Sequence, residues 1–195
     1  MVRRILAGCL GVSALWGGAL PEWWTAFPGL ARLESPFVQE SDSAVFGKLR
    51  REGTLRLAQG GRLRVEYRKG MLLVADGRSL VQYDAQARTA QRLDLRHAAV
   101  ATPLLNILIN PGALAGSYEA KPGADASLTL EPRKPGLPRV SLEGKGRFLT
   151  AIQWIDGTGA RQVIRLTAPM VPAAAFAPAL FSFQAPAGTR WIKPD

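Results

Sequence analysis

The stretch Gly53–Asp84, GTLRLAQGGRLRVEYRKGMLLVADGRSLVQYD, decides the fold. Leu55 and Leu57 alternate with Thr54 and Arg56; Leu63, Val65 and Tyr67 alternate with Arg62, Arg64 and Glu66; Val81 and Tyr83 flank Gln82. Successive side chains on a strand point to opposite faces, so each segment has one apolar face and one wet, mostly basic face. The separators Gln59-Gly60-Gly61, Lys69-Gly70 and Asp76-Gly77 are glycine turns between paired strands. The stretch therefore reads as an antiparallel meander with one greasy side.

Working outward, the same pattern continues on both flanks. Phe37–Ser41 and Lys48–Ala58 read as strands before it and Thr89–Leu95 as a strand after it. From Ser117 strands resume at 127–131, 139–143, 148–155 and 161–167, with a hairpin turn at Asp156-Gly157-Thr158-Gly159 and a last strand at Leu180–Phe183. Both faces of 148–155 are apolar, which leaves its register open. Trp23, Trp24, Phe27, Leu30 and Leu33 fall near helical spacing, but Pro28 interrupts them, so a short helix is expected from about Gly29 to Glu34, ended by Ser35-Pro36. Within Ala98–Asn110 a helix is expected over 102–109, with Thr102 as N-cap and Pro103 at its first position. Leu104, Leu105, Ile107, Leu108 and Ile109 make it apolar nearly all round, so both of its faces must be covered. Ten to eleven strands and two or three short helices, with no repeat and no linker, predict one mainly β domain over residues 21–195.

The chain has 195 residues and a formal charge of +10, which implies attraction to an anionic partner or surface. Arg3 and Arg4 followed by the uncharged run Ile5–Leu20 read as a signal peptide, too short to span a bilayer, with cleavage near Ala19. Export to the periplasm is expected, with about +8 remaining once those two arginines are removed. Leu6-Ala7-Gly8-Cys9 has the form of a lipobox, yet Ile5 alone separates it from the arginines, so Cys9 reads as an ordinary leader cysteine. Without it the mature chain has no thiol, which removes disulfides, thiol catalysis and cysteine metal sites.

Converging polar groups are scarce. His97 is the single histidine, and reads as a surface residue. Asp76 and Asp156 precede glycines, as turn aspartates do. Gly144-Lys145-Gly146-Arg147 lacks the strand–loop–helix setting of a phosphate loop and reads as a hairpin turn. The arginines alternate singly with apolar residues instead of clustering with aromatics, which argues against nucleic acid. No enzyme, cofactor or metal site is expected. A sheet of this many strands can curl around a cavity or around a solid core, and periodicity leaves both open.

The order of these pieces resembles the LolA family of periplasmic outer-membrane lipoprotein carriers. Phe37-x-Gln39, Gly53-x-Leu55, Leu63-Arg64-Val65-Glu66-Tyr67, the segment Leu73–Asp84, Thr102-Pro103-Leu104-Leu105 and Phe181-x-Phe183 with Pro186-x-Gly188 are similar to six family motifs in order. The resemblance implies an unclosed, strongly curled antiparallel half-barrel with an α-helical lid over an apolar cavity. It also implies a cargo of acylated lipoproteins, received from an inner-membrane ABC transporter and passed to an outer-membrane acceptor by a monomeric carrier. A related carrier of free lipid or glycolipid, and a non-carrier envelope module with a solid core, are the alternatives.

On this reading Leu55, Leu57, Leu63, Val65, Tyr67, Val81, Tyr83, Leu93, Ile152, Trp154, Ile164, Leu166 and Phe183 face the cavity. Leu104, Leu105, Ile107 and Leu108 form the lid, and the basic outer face aids docking to acidic partners or anionic head groups. The family's lid-tying arginine, followed by proline, is replaced by Gln59-Gly60, so Gln59, Arg62 and Arg64 are the candidate ties. An amide without charge makes the weaker tie.

Overall fold

The computed structural model describes residues 20–95 and 103–193, with side chains from Leu105 in the second segment. The segment expected to be a leader, with Cys9 and Ala19, as well as His97, Thr102 and the Leu104 side chain, lies outside the described residues. Twelve strands form one sheet: β1 (Arg32–Ser43), β2 (Gly47–Ala58), β3 (Arg62–Tyr67), β4 (Met71–Asp76), β5 (Ser79–Asp84), β6 (Thr89–Asp94), β7 (Tyr118–Pro122), β8 (Ser127–Pro132), β9 (Val140–Lys145), β10 (Phe148–Ile155), β11 (Arg161–Leu166) and β12 (Arg190–Ile192). Their order is β12-β6-β5-β4-β3-β2-β1-β11-β10-β9-β8-β7. Every pairing is antiparallel except β12 on β6, and the sheet curls without closing. The Gly53–Asp84 meander is β2 to β5, in the strand positions its alternation predicts.

The first helix lies earlier than expected. α1 spans Glu22–Ala26 and runs into a single 3₁₀ turn at Phe27–Gly29, which accepts Pro28 because a first turn needs no N–H from it. Residues 30–34 are not helical; from Arg32 the chain is strand, and Leu33, Ser35 and Phe37 face inward with period two. Pro36 therefore sits inside β1 instead of ending a helix. It lies where β11 has ended at Leu166, so its missing donor interrupts the ladder at a margin, and its carbonyl still accepts from Thr167 N at 3.0 Å. The second helix, α2, spans Pro103–Ile109.

One contiguous apolar core fills the concave side. Over β1–β4, β10 and β11 it is covered by α2, and over β9 and β10 by α1. Trp23 of α1 is buried against Gly144, where an added Cβ would overlap its ring carbons, and its indole N–H donates to Ala126 O at 2.6 Å. Gly144 thus belongs to the β9–β10 hairpin, and its lack of a side chain admits an indole.

The convex side is covered too, by the segment after β11. Glu34 and Met170 exchange both backbone bonds at 2.9 Å. The Arg32 guanidinium donates to Pro172 O and Ala173 O at 2.6 and 2.8 Å, and Arg64 donates to Leu180 O at 3.1 Å. Phe181 is buried beneath the Arg62 guanidinium, 5.5 Å from its ring centroid. The expected strand at Leu180–Phe183 is instead the end of a 3₁₀ turn (Pro178–Phe181) and an extended stretch crossing the convex face; the last strand is β12.

Candidate functional site

The predicted cavity residues of β2, β3, β10 and β11 do converge. Leu55, Leu63, Val65, Tyr67, Ile152, Ile164 and Leu166 surround one apolar site, together with Phe37 and Leu73, and Leu105 and Leu108 of α2 close it. Leu57 lies on the same face, paired with Leu33 and Leu63; Leu93 and Trp154 pack at the margins of the core. The bulge between Leu149 and Ala151 settles the open register of β10 by turning both Leu149 and Ile152 inward. At the rim, Phe37 lies opposite Gly53, where a Cβ would come within 2.7 Å of its ring, and reaches Tyr67 edge-on at 5.1 Å. Tyr67 donates to Gln39 Oε1 at 2.8 Å, and burial raises its phenol pKa while nearby Arg51 opposes the shift. Phe37, Gln39, Gly53 and Tyr67, separate in sequence, form one contact group.

The volume left inside is about 30 Å³. That is one water's share in an apolar site, far below the roughly 300–1,000 Å³ of a typical ligand pocket. The lid side chains occupy the space: Leu105 and Leu108 point at the sheet, and Ile107 is fully buried. A cleft of about 830 Å³ lies beside the far end of α2, lined among others by Leu95, Asn106, Ile109, Leu114, Tyr118 and Lys134. The Tyr118 hydroxyl is buried without a hydrogen-bond partner, and desolvation raises its pKa.

Among the described residues no hydrogen bond runs from Gln59, Arg62 or Arg64 side chains to α2. Gln59 is exposed beside Leu108 and Ile109, and its backbone bonds Ala31 O and accepts from Arg62 Nε. Arg62 and Arg64 are on the convex face, because Leu63 and Val65 take the concave one, and they hold the C-terminal segment instead of the lid. Leu105 and Leu108 pack α2 against the sheet, and none of the three candidate side chains ties it among the described residues.

Three predicted cavity residues lie on the wrong face for that role. In β5 it is Leu80 that points inward, opposite Ala75 and Leu93, which turns Val81 and Tyr83 outward. Tyr83 stacks on Phe183 at 5.3 Å, and Phe183 meets Trp191 at 6.0 Å, so Phe183 belongs to the convex strap. Sequence reasoning missed Phe37, Leu73 and Leu80. Period two from Leu33 through Phe37 could have found the first, whereas β4 and β5 are apolar on both faces and give no signal.

The outer basic face is also less available than expected. Arg56 pairs with Glu34 and Glu66 at 3.0 and 2.7 Å, and Arg64 reaches Glu66 at 2.7 Å. Burial alone would raise the Glu66 pKa, but hydrogen bonds and charge from Arg64 and Arg56 outweigh it and hold the carboxyl below its ordinary value. The Asp76 and Asp156 carboxylates cap their own turns, accepting from Arg78 N and Ser79 N and from Thr158 and Ala160 N respectively, which lowers both pKa values. No group of three metal-ligating side chains exists among the described residues, and no helix there is long and apolar enough to cross a membrane.

An open curled sheet whose apolar concave face is sealed by a short apolar helix defines the class of lidded half-barrel binding proteins. The family described as outer membrane lipoprotein carrier protein LolA matches residues 29–184, and the chain belongs to that family. Similar solved structures include an uncharacterized conserved protein from Thermus thermophilus, at 9% identity and TM-score 0.53, covering 89% of this chain and 98% of that one. A LolA superfamily protein from Nitrosomonas europaea is 8% identical at TM-score 0.48, covering 85% and 99%. A DUF1329 family protein from Desulfovibrio piger is 9% identical at TM-score 0.48, covering 84% and 98%. No curated protein matches the chain.

Proposed function

We propose that the chain is a monomeric periplasmic carrier that takes the acyl chains of lipoproteins onto its concave face. It shuttles them from an inner-membrane ABC transporter to an outer-membrane acceptor. The observation that supports this reading best is the seal itself: a largely apolar helix laid on an apolar sheet and closing it with Leu105 and Leu108. Acyl chains can replace such a helix contact for contact. Each methylene withdrawn from water contributes about 0.8 kcal/mol, so cargo competes with the lid on equal chemical terms. Release then follows when a more apolar site at the acceptor draws the chains away, with no covalent step.

Native mass spectrometry of the protein purified from its envelope without detergent tests the reading, followed by uptake of a fluorescent acyl probe. A bound lipoprotein supports it. Bound free lipid or glycolipid instead supports a related carrier, a reading favoured by the exposed, untied Gln59 in place of the family's arginine. A bare protein that refuses the probe points to a solid-core envelope module, which the 30 Å³ residual volume would equally suit.

A further inference from the structure

The β1–β2 hairpin is the longest in the sheet, and its far end has no role in enclosing the site. β3 stops at Tyr67, opposite Gly53, so residues 47–51 extend past it. The turn is well ordered by its own chemistry: Ser43 Oγ accepts from Val45 N and Phe46 N at 3.2 and 3.3 Å, and Gly47 adopts a φ of +69°. This fixed turn presents Val45 at 81% exposure and Phe46 at 87%. A valine and a phenylalanine held this far into solvent add nothing to the core.

Leu49, half-exposed on the concave side, continues the apolar surface toward the Phe37–Tyr67 rim, and Ile155 is exposed at the same end. Along the outer half of the hairpin and the strands beside it stand six cationic side chains, Lys48 and Arg161 nearest the tip and Arg50, Arg51, Arg68 and Arg165 further back, against the carboxylates of Glu40, Asp42, Glu52 and Asp156. Arg165 reaches Glu40 at 2.6 Å, Arg50 and Arg68 reach Glu52 at 2.8 and 2.7 Å and Lys48 lies 4.0 Å from Asp42, all of these cations being exposed, whereas Arg51, on the concave side, has no ion-pair partner among the described residues. Apolar residues at a tip with an excess of cations behind them match the two layers of an anionic bilayer surface, acyl boundary inside and head groups outside.

We propose that this hairpin tip is a membrane-docking finger: Val45 and Phe46 enter the interface of an anionic bilayer while the cations behind them meet the head groups. The finger rests on the carrier reading for its purpose, since it would set the mouth of the concave face against the membrane, but its test does not depend on cargo.

The chain from Pro21 onward, which contains every described element, is mixed with phosphatidylglycerol-containing vesicles and, separately, with phosphatidylcholine vesicles. It is expected to float with the former, and a Phe46→Cys variant carrying an environment-sensitive dye should shift its emission to the blue. The double variant V45S/F46S should lose vesicle affinity by about tenfold or more, as expected for withdrawing two apolar side chains from the interface, and should keep its melting transition. Failure of the unmodified chain to float with anionic vesicles, or equal flotation of the double variant, overturns the proposal. So does a blue shift that requires an added envelope protein and is absent with vesicles alone. Acyl-probe uptake without vesicles reads the carrier function separately, and the double variant should retain it.

Discussion

Replacing Leu108 by alanine tests whether the lid is a competitor of the cargo or a wall of its site. Leu108 is 7% exposed and faces Leu55, Leu63 and Ile152 across the residual cavity. Truncating a leucine so buried costs about 2–5 kcal/mol. Part of the lost packing persists whichever way the helix sits, so about 2 kcal/mol is a fair share for the closed state alone, or roughly a thirtyfold shift toward the open one. A ligand that binds only the open state has an apparent affinity reduced by the fraction of open protein. The variant should therefore bind an acyl probe up to about thirtyfold more tightly while melting at a lower temperature. Fluorescence titration of the probe, beside a thermal melt, measures both. If Leu108 instead formed a wall that cargo rests on, affinity would fall together with stability, and that result would refute lid competition.

Other outcomes follow from the same geometry. Gly144→Ala should lower the melting temperature by about 3–10 °C, because its methyl drives into Trp23 and overpacking of this kind costs about 1–3 kcal/mol. Phe183→Ala and Tyr83→Ala should leave acyl-probe affinity unchanged, since both rings stack on the convex face; a loss of affinity would return them to the cavity. The depressed Glu66 pKa contributes stability that is present above the ordinary glutamate range near pH 4.5 and is lost as pH falls through the folded value. The melting temperature should accordingly decline on acidification below about pH 4.5, and Glu66→Gln, measured by the same melts, should flatten part of that decline.

The sheet was legible where one face is plainly wet. In β3 the arginines and Glu66 mark the outer side, so Leu63, Val65 and Tyr67 could be assigned inward without error. β5 defeated the same logic. Gln82 made Val81 and Tyr83 look like the buried row, but Leu80 faces the core and Val81 is buried on the opposite side, under a strap that begins about a hundred residues later. Alternation reports how many faces are covered, not by what. The first helix was misplaced for a related reason: Trp23, Trp24, Phe27 and Leu33 are all buried, but the helix supplies only the two tryptophans, the 3₁₀ turn supplies Phe27 and a strand supplies Leu33. The Gln39–Tyr67 bond and the ring of Phe37 over Gly53 depend on strand neighbours and register, which no single segment encodes.

A closed barrel has its radius set once strand number and shear are chosen. Here the two outermost strands, β7 and β12, are not partners, so no strand ladder spans the seam between them among the described residues. Small changes of twist, shared over eleven strand junctions, can widen or narrow the trough without breaking a single ladder. The girth of the scaffold is thereby free to follow the girth of what it holds, and molecules of unequal thickness can be accommodated by one sequence.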